Sequence, residues 1–197
     1  MSSKKFSIAI FASGNGSNAE EIIRYFKNHP SIAVSLLLSN NPNAFVLERS
    51  KRLGVPMFTF SREEFKDAST ILSALRKNNV THIVLAGFLW LIPSYLIEAY
   101  PDKIVNIHPA LLPKFGGKGM YGSKVHEAVK AALEKETGIT IHLVNEHYDE
   151  GRVLFQGRCV VEPHYTPLEI AACVQKLEYE HYPRVIEKWV LEEKQQD

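Results

Sequence analysis

Short apolar segments alternate along the first hundred residues with longer segments whose apolar positions recur every three or four residues. The short segments are typical of buried parallel strands, and the longer ones of helices that pack against a sheet. Their strict alternation implies right-handed crossovers and a mainly parallel sheet. The predicted strands are Phe6–Ala12, Ile32–Leu38, Val55–Phe60, Ile83–Ala86 and Ile104–Ile107. The predicted helices are Ala19–Lys27, Asn43–Leu53, Thr70–Asn78 and Ser94–Tyr100.

The pattern changes in the second half of the chain. Ser123–Glu136 is predicted as a helix that turns Leu133 inward and is capped by Gly138. Two alternating segments, Ile139–Val144 and Val153–Val160, follow with a link too short for a crossover. They therefore predict an antiparallel hairpin.

A long helix is predicted to close the chain. Thr166 and Glu169 form a capping box at its start, and Pro183 is expected to kink or split it. The tail Glu192–Asp197 is polar and expected to fray. The sequence thus predicts one α/β domain over residues 1–197, with a Rossmann-like, mainly parallel twisted sheet, helices on both faces, an antiparallel C-terminal hairpin and a long C-terminal helix.

Composition excludes several classes of partner. The 197 residues are 45% hydrophobic, and 23 basic residues nearly balance 22 acidic ones, so no overall field attracts nucleic acid or an anionic membrane. No apolar run reaches the roughly 18 residues of a membrane span, and Met1–Lys5 is followed by no long apolar leader segment. Cys159 and Cys173 lack metal or disulfide spacing and are expected to be small buried hydrophobes. We expect a cytoplasmic protein without a nucleic-acid or membrane partner.

The segment Ser13–Asn18 predicts an anion site. It joins a strand to a helix, and Ser17 with Glu20 suggests a capping box at the helix start. Glycines allow close approach of a ligand to the backbone, and the helix amino end favours a phosphate. A plain turn is the alternative interpretation.

The same loop also satisfies a loose dinucleotide fingerprint through Gly14, Gly16 and Ala19. That fingerprint requires an acid after the second strand to hold a ribose hydroxyl. Ser39–Pro42 contains no carboxylate, which favours a single phosphate ester over NAD and disfavours an NAD oxidoreductase.

Asn106 and His108 lie at the carboxyl end of the fifth strand, just before two prolines. Ligands of open α/β sheets bind at that edge. An amide donor and a group that titrates near neutral pH can together stabilise an oxyanion and carry a proton. Spacing alone also fits a merely structural histidine.

Two further segments lie close to predicted strand ends. Gly87–Pro93 is too apolar for an ordinary surface loop and suggests either buried packing or a slot for a flat aromatic ligand. Lys114–Gly122 carries four glycines in nine positions and is a candidate lid.

Three groups of residues together resemble one known family. They are Ser13–Asn18, Leu85–Phe88 and Asn106–Pro113, followed by Asp149 and Gly151. In this order the chain resembles the phosphoribosylglycinamide formyltransferases of purine biosynthesis. The resemblance implies formyl transfer from 10-formyltetrahydrofolate, a co-substrate, to the amine of glycinamide ribonucleotide, with small-molecule substrates only and no metal.

The resemblance also implies roles for single residues. The amine would attack the formyl carbon directly, and Asn106 with protonated His108 would meet the oxyanion of the tetrahedral intermediate. Asp149 would raise the pKa of His108, and Thr140 would help order a shuttling water. His126 matches a histidine near the site.

Binding residues follow from the same resemblance. Gly16, Ser17 and Asn18 would hold the substrate phosphate, with Gln175 and Glu178 at phosphate and ribose. The folate would contact Arg62, Leu89, Trp90, Leu91, Ile92 and Asn106. Residues 1–100 would form the phosphate-binding half, and residues 101–197 the catalytic and folate-binding half. Other members often carry a basic residue where this chain has Trp90, so contacts to the folate tail are expected to differ.

Three rivals share parts of this pattern. A formyltetrahydrofolate hydrolase would use the same three catalytic residues with water as acceptor, but it normally adds an N-terminal regulatory domain. Methionyl-tRNA formyltransferase adds a C-terminal barrel and a basic surface, and neither addition is expected here. A non-catalytic nucleotide-binding module is the third. The oligomeric state is expected to be a monomer or weak homodimer.

Overall fold

A computed structural model describes residues 6–192 and arranges them around a single seven-stranded sheet. The strands are β1 Phe6–Phe11, β2 Ile32–Ser39, β3 Met57–Thr59, β4 His82–Leu85, β5 Ile104–His108, β6 Glu136–Leu143 and β7 Val153–Val160. The helices are α1 Ser17–Phe26, α2 Phe45–Leu53, α3 Arg62–Lys66, α4 Ala68–Lys77, α5 Ser94–Ala99, α6 Ser123–Ala131 and α7 Pro167–Glu192.

The strand order is β3-β2-β1-β4-β5-β6-β7. Strands β1 to β5 are parallel, whereas β6 is antiparallel to both β5 and β7. The chain therefore builds outward from β1 to β3, returns to β4, and builds outward in the other direction. This confirms the predicted mainly parallel sheet and C-terminal hairpin. The strand order reverses between β1 and β4, and ligands of such sheets bind in the crevice at the carboxyl ends of the strands near the reversal.

Both faces of the sheet are covered, as predicted. In β1 the side chains of Ile8 and Ile10 join a core beneath α1 and α7, while Ala9 and Phe11 join a second core beneath α4. Burial on both faces explains why β1 is a continuous apolar run rather than an alternating one.

The helix predicted from Ser123 ends earlier than expected. It stops at Ala131, and Leu133 adopts φ +53° with 82% of its surface exposed, so the inward position predicted for Leu133 is wrong. Gly138 does not cap this helix either, because it lies inside β6. A Cβ on Gly138 would come within 1.8 Å of the Gly157 carbonyl oxygen, so close pairing with β7 requires this glycine.

The long helix α7 begins with the predicted capping box. The backbone amide of Thr166 donates to Glu169 Oε2 at 2.7 Å, and the amide of Glu169 donates to Thr166 Oγ1 at 3.3 Å. Pro183 does not split the helix, which is continuous to Glu192. Pro183 and Tyr182 are buried against the sheet, and this packing outweighs the backbone hydrogen bond that a proline removes. The predictions for the tail beyond residue 192 and for residues 1–5 lie outside the described residues.

The two cysteines form no disulfide, and both are partly exposed rather than fully buried as predicted. Burial, and a hydrogen bond with the thiol of Cys173, raise the pKa of Cys159 to about 12. Within residues 6–192 no helix is both long and apolar enough to cross a membrane.

Tyr182 ties α7 to the sheet beneath the crevice. Its fully buried hydroxyl donates to the Leu85 carbonyl oxygen at 2.8 Å and approaches that of Val105 at 3.3 Å. We expect Tyr182→Phe to lower the free energy of unfolding by about 1–2 kcal/mol, because the buried carbonyls lose a donor. Urea unfolding measures this change. Tyr179→Phe, on a partly exposed residue of the same helix, is the control; equal stability of the two variants would contradict the expectation.

Candidate active site

A cavity of about 550 Å³ occupies the crevice at the carboxyl ends of β4 and β5. Its walls come from the Gly87–Ile92 segment, the glycine-rich segment Gly117–Gly122 and the link between β6 and β7. Asn18 of α1 and Glu178 of α7 also line it. Residues from both predicted halves of the chain therefore meet in one cavity.

The structure brings Asn106, His108 and Asp149 together at this cavity. Nδ2 of Asn106 lies 3.5 Å from Asp149 Oδ1, and Nδ1 of His108 lies 3.4 Å from Asp149 Oδ2. Asp149 reaches them because the β6–β7 link folds back over the end of β5. Its backbone adopts φ +59°, a conformation that aspartate tolerates better than most residues.

His142 is a fourth member of this cluster, and the sequence analysis missed it. It lies opposite Asn106 in the β5–β6 register. Nδ1 of His142 is 2.8 Å from the Leu143 carbonyl oxygen, which only accepts, so this nitrogen carries a proton. Nε2 lies 3.2 Å from Asn106 Nδ2 and 3.6 Å from Asp149 Oδ1. The sequence feature that indicates His142 is the two-residue period of a strand, which places His142 on the same face of β6 as Thr140.

The contacts of the His108 ring favour its charged form, whereas burial opposes it. Nε2 donates to the Phe115 carbonyl oxygen at 2.8 Å, and Nδ1 faces the Asp149 carboxylate. Burial lowers the pKa of His108 below its usual value of 6.5, and this effect outweighs the opposing effect of the Asp149 charge. Asp149 thus acts in the predicted direction, but burial makes the net pKa of His108 lower rather than higher than usual. Burial raises the pKa of Asp149, but His142, the charge of His108 and the Gly117 amide together hold it below its usual value.

Thr140 has a structural place rather than the predicted contact with a water. It is fully buried, and its Oγ1 donates to the Ala110 carbonyl oxygen at 2.7 Å. The same oxygen accepts from the Leu112 amide and from Gln156 Nε2, each at 3.0 Å. Through these bonds Thr140 fixes the turn that follows His108. Its hydroxyl makes all three hydrogen bonds available to it with protein groups, which leaves none for a water.

The segment Lys114–Gly122, which includes Phe115, lies directly on the His108–Asp149 pair. The Gly117 amide donates to Asp149 Oδ2 at 2.9 Å, and Phe115 supplies the carbonyl that meets His108. This segment therefore contributes two backbone groups to the cluster as well as one wall of the cavity.

The loop before α1 exposes a helix amino end. Gly16 caps the helix in a left-handed conformation, φ +77°, and within residues 6–192 no side chain caps α1. The predicted Ser17–Glu20 capping box is wrong, because the Glu20 carboxylate pairs with Arg24, Arg49 and Arg52 instead. Hydrogen bonds from Arg24 and Arg49, more than anything else, lower the pKa of Glu20 to about 2.

Asn18 connects this loop to α7. Its Nδ2 donates to Glu178 Oε2 at 2.9 Å, and burial raises the pKa of Glu178 above its usual value. Both side chains line the cavity, whereas Gly16 and Ser17, directly before Asn18, lie outside its lining. Gln175, one turn earlier on α7, is exposed and lies outside the cavity lining, so the structure does not bring it to this site.

The apolar segment Gly87–Pro93 after β4 both packs against the core and lines the cavity, which are the two alternatives predicted for it. The Trp90 ring packs against Phe60, Phe65 and Phe88, while Leu89 and Leu91 are exposed. All four residues from Leu89 to Ile92 line the cavity.

Of two further residues predicted for the site, Arg62 lies outside the cavity lining and His126 belongs to it. Arg62 is exposed outside the cavity lining, with its guanidinium 5.2 Å from the centre of the Trp90 ring. His126 of α6 does line the cavity; within residues 6–192 its Nδ1 is buried without a hydrogen-bond partner. Burial, and to a smaller extent the charge of His108, lower the pKa of His126.

Comparison with known proteins gives a consistent result. A family model described as formyl transferase matches residues 6–186. The chain is 38% identical over 190 residues to the phosphoribosylglycinamide formyltransferase of Bacillus subtilis, and the match covers 94% of each chain. It is 41% identical over 185 residues to the chloroplastic phosphoribosylglycinamide formyltransferase of Arabidopsis thaliana, covering 91% of this chain and 63% of that relative. The chain thus spans less than two thirds of the length of this plant relative.

Solved structures agree with these relatives. The crystal structure of the phosphoribosylglycinamide formyltransferase of Bacillus halodurans superposes with a TM-score of 0.83 at 34% identity, covering 92% of this chain and 94% of that one. The corresponding structure from Anaplasma phagocytophilum gives a TM-score of 0.84 at 31% identity, covering 93% and 86%.

The loop geometry makes Gly16 hard to replace. A Cβ at this position would lie 2.2 Å from Val46 Cγ2, and the left-handed backbone adds a cost of about 1 kcal/mol or more. We therefore expect Gly16→Ala to lower the unfolding free energy by at least that amount in urea titrations. Gly14→Ala is the matched control, since nothing lies within 4 Å of its Cβ position. A Gly16→Ala protein as stable as Gly14→Ala would refute this description of the loop.

The electrostatics of the cluster can be tested by titration. The Asp149 carboxylate favours the His108 imidazolium, so Asp149→Asn should lower the His108 pKa below its wild-type value. NMR of the imidazole carbons against pH measures this shift. Glu150→Gln, at the neighbouring exposed carboxylate, should leave the His108 titration unchanged. A rise in the His108 pKa in Asp149→Asn would show that Asp149 does not act on the imidazolium.

Proposed function

The chain belongs to the formyl transferase family, and we propose that it transfers the formyl group of 10-formyltetrahydrofolate to the amine of glycinamide ribonucleotide, a step of purine biosynthesis. The observation that carries this proposal is the cluster of Asn106, His108 and Asp149 in a cavity that the Asn18–Glu178 pair also lines. The cluster supplies groups for chemistry at a carbonyl. Asn18 belongs to the first turn of α1, a helix amino end that has no side-chain cap within residues 6–192 and is suited to a phosphate.

The chemistry assigned to the cluster is direct attack. The substrate amine adds to the formyl carbon, and the carbonyl electrons move to oxygen. Asn106 Nδ2 donates to this oxyanion, because an amide N–H placed in a partly buried site stabilises developing charge. The carbon–nitrogen bond to the folate then breaks, and the folate nitrogen takes a proton.

His108 moves the proton in this scheme. Its lowered pKa keeps the resting imidazole neutral at pH 7, so it can accept the proton that the attacking amine loses. Asp149 then stabilises the transient imidazolium until the proton passes to the folate nitrogen. This replaces the resting imidazolium expected from the sequence.

The two substrates are assigned to opposite parts of the cavity. The ribonucleotide phosphate is assigned to Gly16, Ser17 and Asn18, and its ribose to Glu178. The apolar Leu89–Ile92 segment supports a site for the flat pterin ring of the folate. Arg62 is omitted from this assignment because it stacks on the Trp90 ring outside the cavity.

Location and oligomeric state stay predictions. Cytoplasmic location is one of them; the Arabidopsis relative is named as chloroplastic. The monomer or weak homodimer is the other.

The reaction can be followed by the absorbance of the deformylated folate after mixing the protein with a 10-formyl folate, with and without glycinamide ribonucleotide. Release that requires the ribonucleotide supports the transferase. Release without it would indicate a hydrolase that uses water as acceptor. No release in either case would indicate a binding module without this activity.

We expect His108→Ala to lower kcat between about a hundredfold and ten-thousandfold, because it removes the proton carrier. His164→Ala, at an exposed histidine away from the cavity, is the control and should keep the wild-type kcat. Equal kcat values for the two variants would remove His108 from the mechanism.

A further inference from the structure

Arg49 of α2 bonds to the loop before α1 through several atoms at once. Its Nε donates to the Asn15 carbonyl oxygen at 2.9 Å, and its Nη2 donates to Asn15 Oδ1 at 2.8 Å. Nη1 pairs with the buried Glu20 carboxylate of α1. One planar guanidinium therefore joins α2, the loop and α1, an arrangement that a lysine ammonium cannot reproduce.

Other contacts from α2 hold the same turn. The Val46 amide donates to the Gly14 carbonyl oxygen at 3.1 Å, and the Val46 side chain closely covers the Cα of Gly16. The turn from Gly14 to Gly16 is thus fixed by α2 through both backbone and side-chain contacts. The direction of the first amides of α1 depends on this turn.

Two neighbouring arginines provide an internal comparison. Arg24 and Arg52 also pair with Glu20, at 2.6 Å and 2.8 Å, but their hydrogen bonds within residues 6–192 go to Glu20 rather than to the loop. Three guanidinium groups around one carboxylate leave an excess of positive charge beside the loop. Arg49 alone combines that charge with direct bonds to the turn.

We propose that Arg49 is a positioning residue for the phosphate of the ribonucleotide. It holds the Asn15–Gly16 turn so that the amides of Ser17 and Asn18 converge on the phosphate. Arg49 itself does not contact the reacting atoms, so it acts on binding rather than on the chemical step. The substrate named here rests on the proposed function.

Steady-state kinetics separate this role from a general structural one. We expect Arg49→Ala to raise the KM for glycinamide ribonucleotide about tenfold, with kcat and the KM for the folate unchanged, because the loss is confined to charge-assisted bonds at the loop. Arg49→Lys should show an intermediate KM, since a lysine ammonium can donate to only some of the Asn15 and Glu20 oxygens that accept from Arg49. Arg52→Ala is the matched control and should keep the wild-type KM. Equal KM values for Arg49→Ala and Arg52→Ala would overturn the proposal.

Calorimetry with ribose 5-phosphate tests the loop independently of formyl transfer. Wild type and Arg52→Ala should bind this phosphate ester equally, and Arg49→Ala about tenfold more weakly. Asn15→Ala, which removes only one acceptor of Arg49, should weaken binding less and covers the case in which Arg49→Ala does not fold. Failure of the wild type to bind, or equal binding by all variants, would overturn the role of Arg49. Ribonucleotide-independent release of folate would instead overturn the proposed function and leave the calorimetric comparison intact.

Discussion

The antiparallel pairing of β6 with β5 is the constraint on which the site depends. It sets His142 opposite Asn106 and returns the chain so that Asp149 lies between two histidines. The first five strands alone would provide a crevice and the loop before α1, but no Asp149 carboxylate beside His108. The hairpin therefore converts a generic ligand-binding edge into a cluster that can handle a proton.

Burial acts differently on the titratable groups around the cavity. Desolvation raises the pKa of Glu178, whose hydrogen-bond donor among the described residues is the neutral amide of Asn18. Asp149 is also desolvated, yet two histidines and the Gly117 amide hold its pKa low. In the proposed scheme, the charged Asp149 carboxylate stabilises the imidazolium that forms when His108 accepts a proton.

Local patterns predicted the fold well because burial on both faces leaves continuous apolar strands. They failed where distant contacts decide the local structure. Glu20 follows Ser17 at capping-box spacing, but arginines of α2 and α1 take its carboxylate. His142 was missed because strand register is not visible in the sequence, and the lowered pKa of His108 because burial cannot be read from it. Asn106 was found through its strand-end position and the motif around it.

The most direct test of this account is a crystal structure with glycinamide ribonucleotide and an unreactive analogue of 10-formyltetrahydrofolate bound together. The account predicts the phosphate on the backbone amides at Gly16–Asn18, and the position equivalent to the formyl carbon beside Asn106 and His108. A phosphate bound elsewhere, or a folate whose reactive nitrogen lies away from the Asn106–His108 pair, would contradict it.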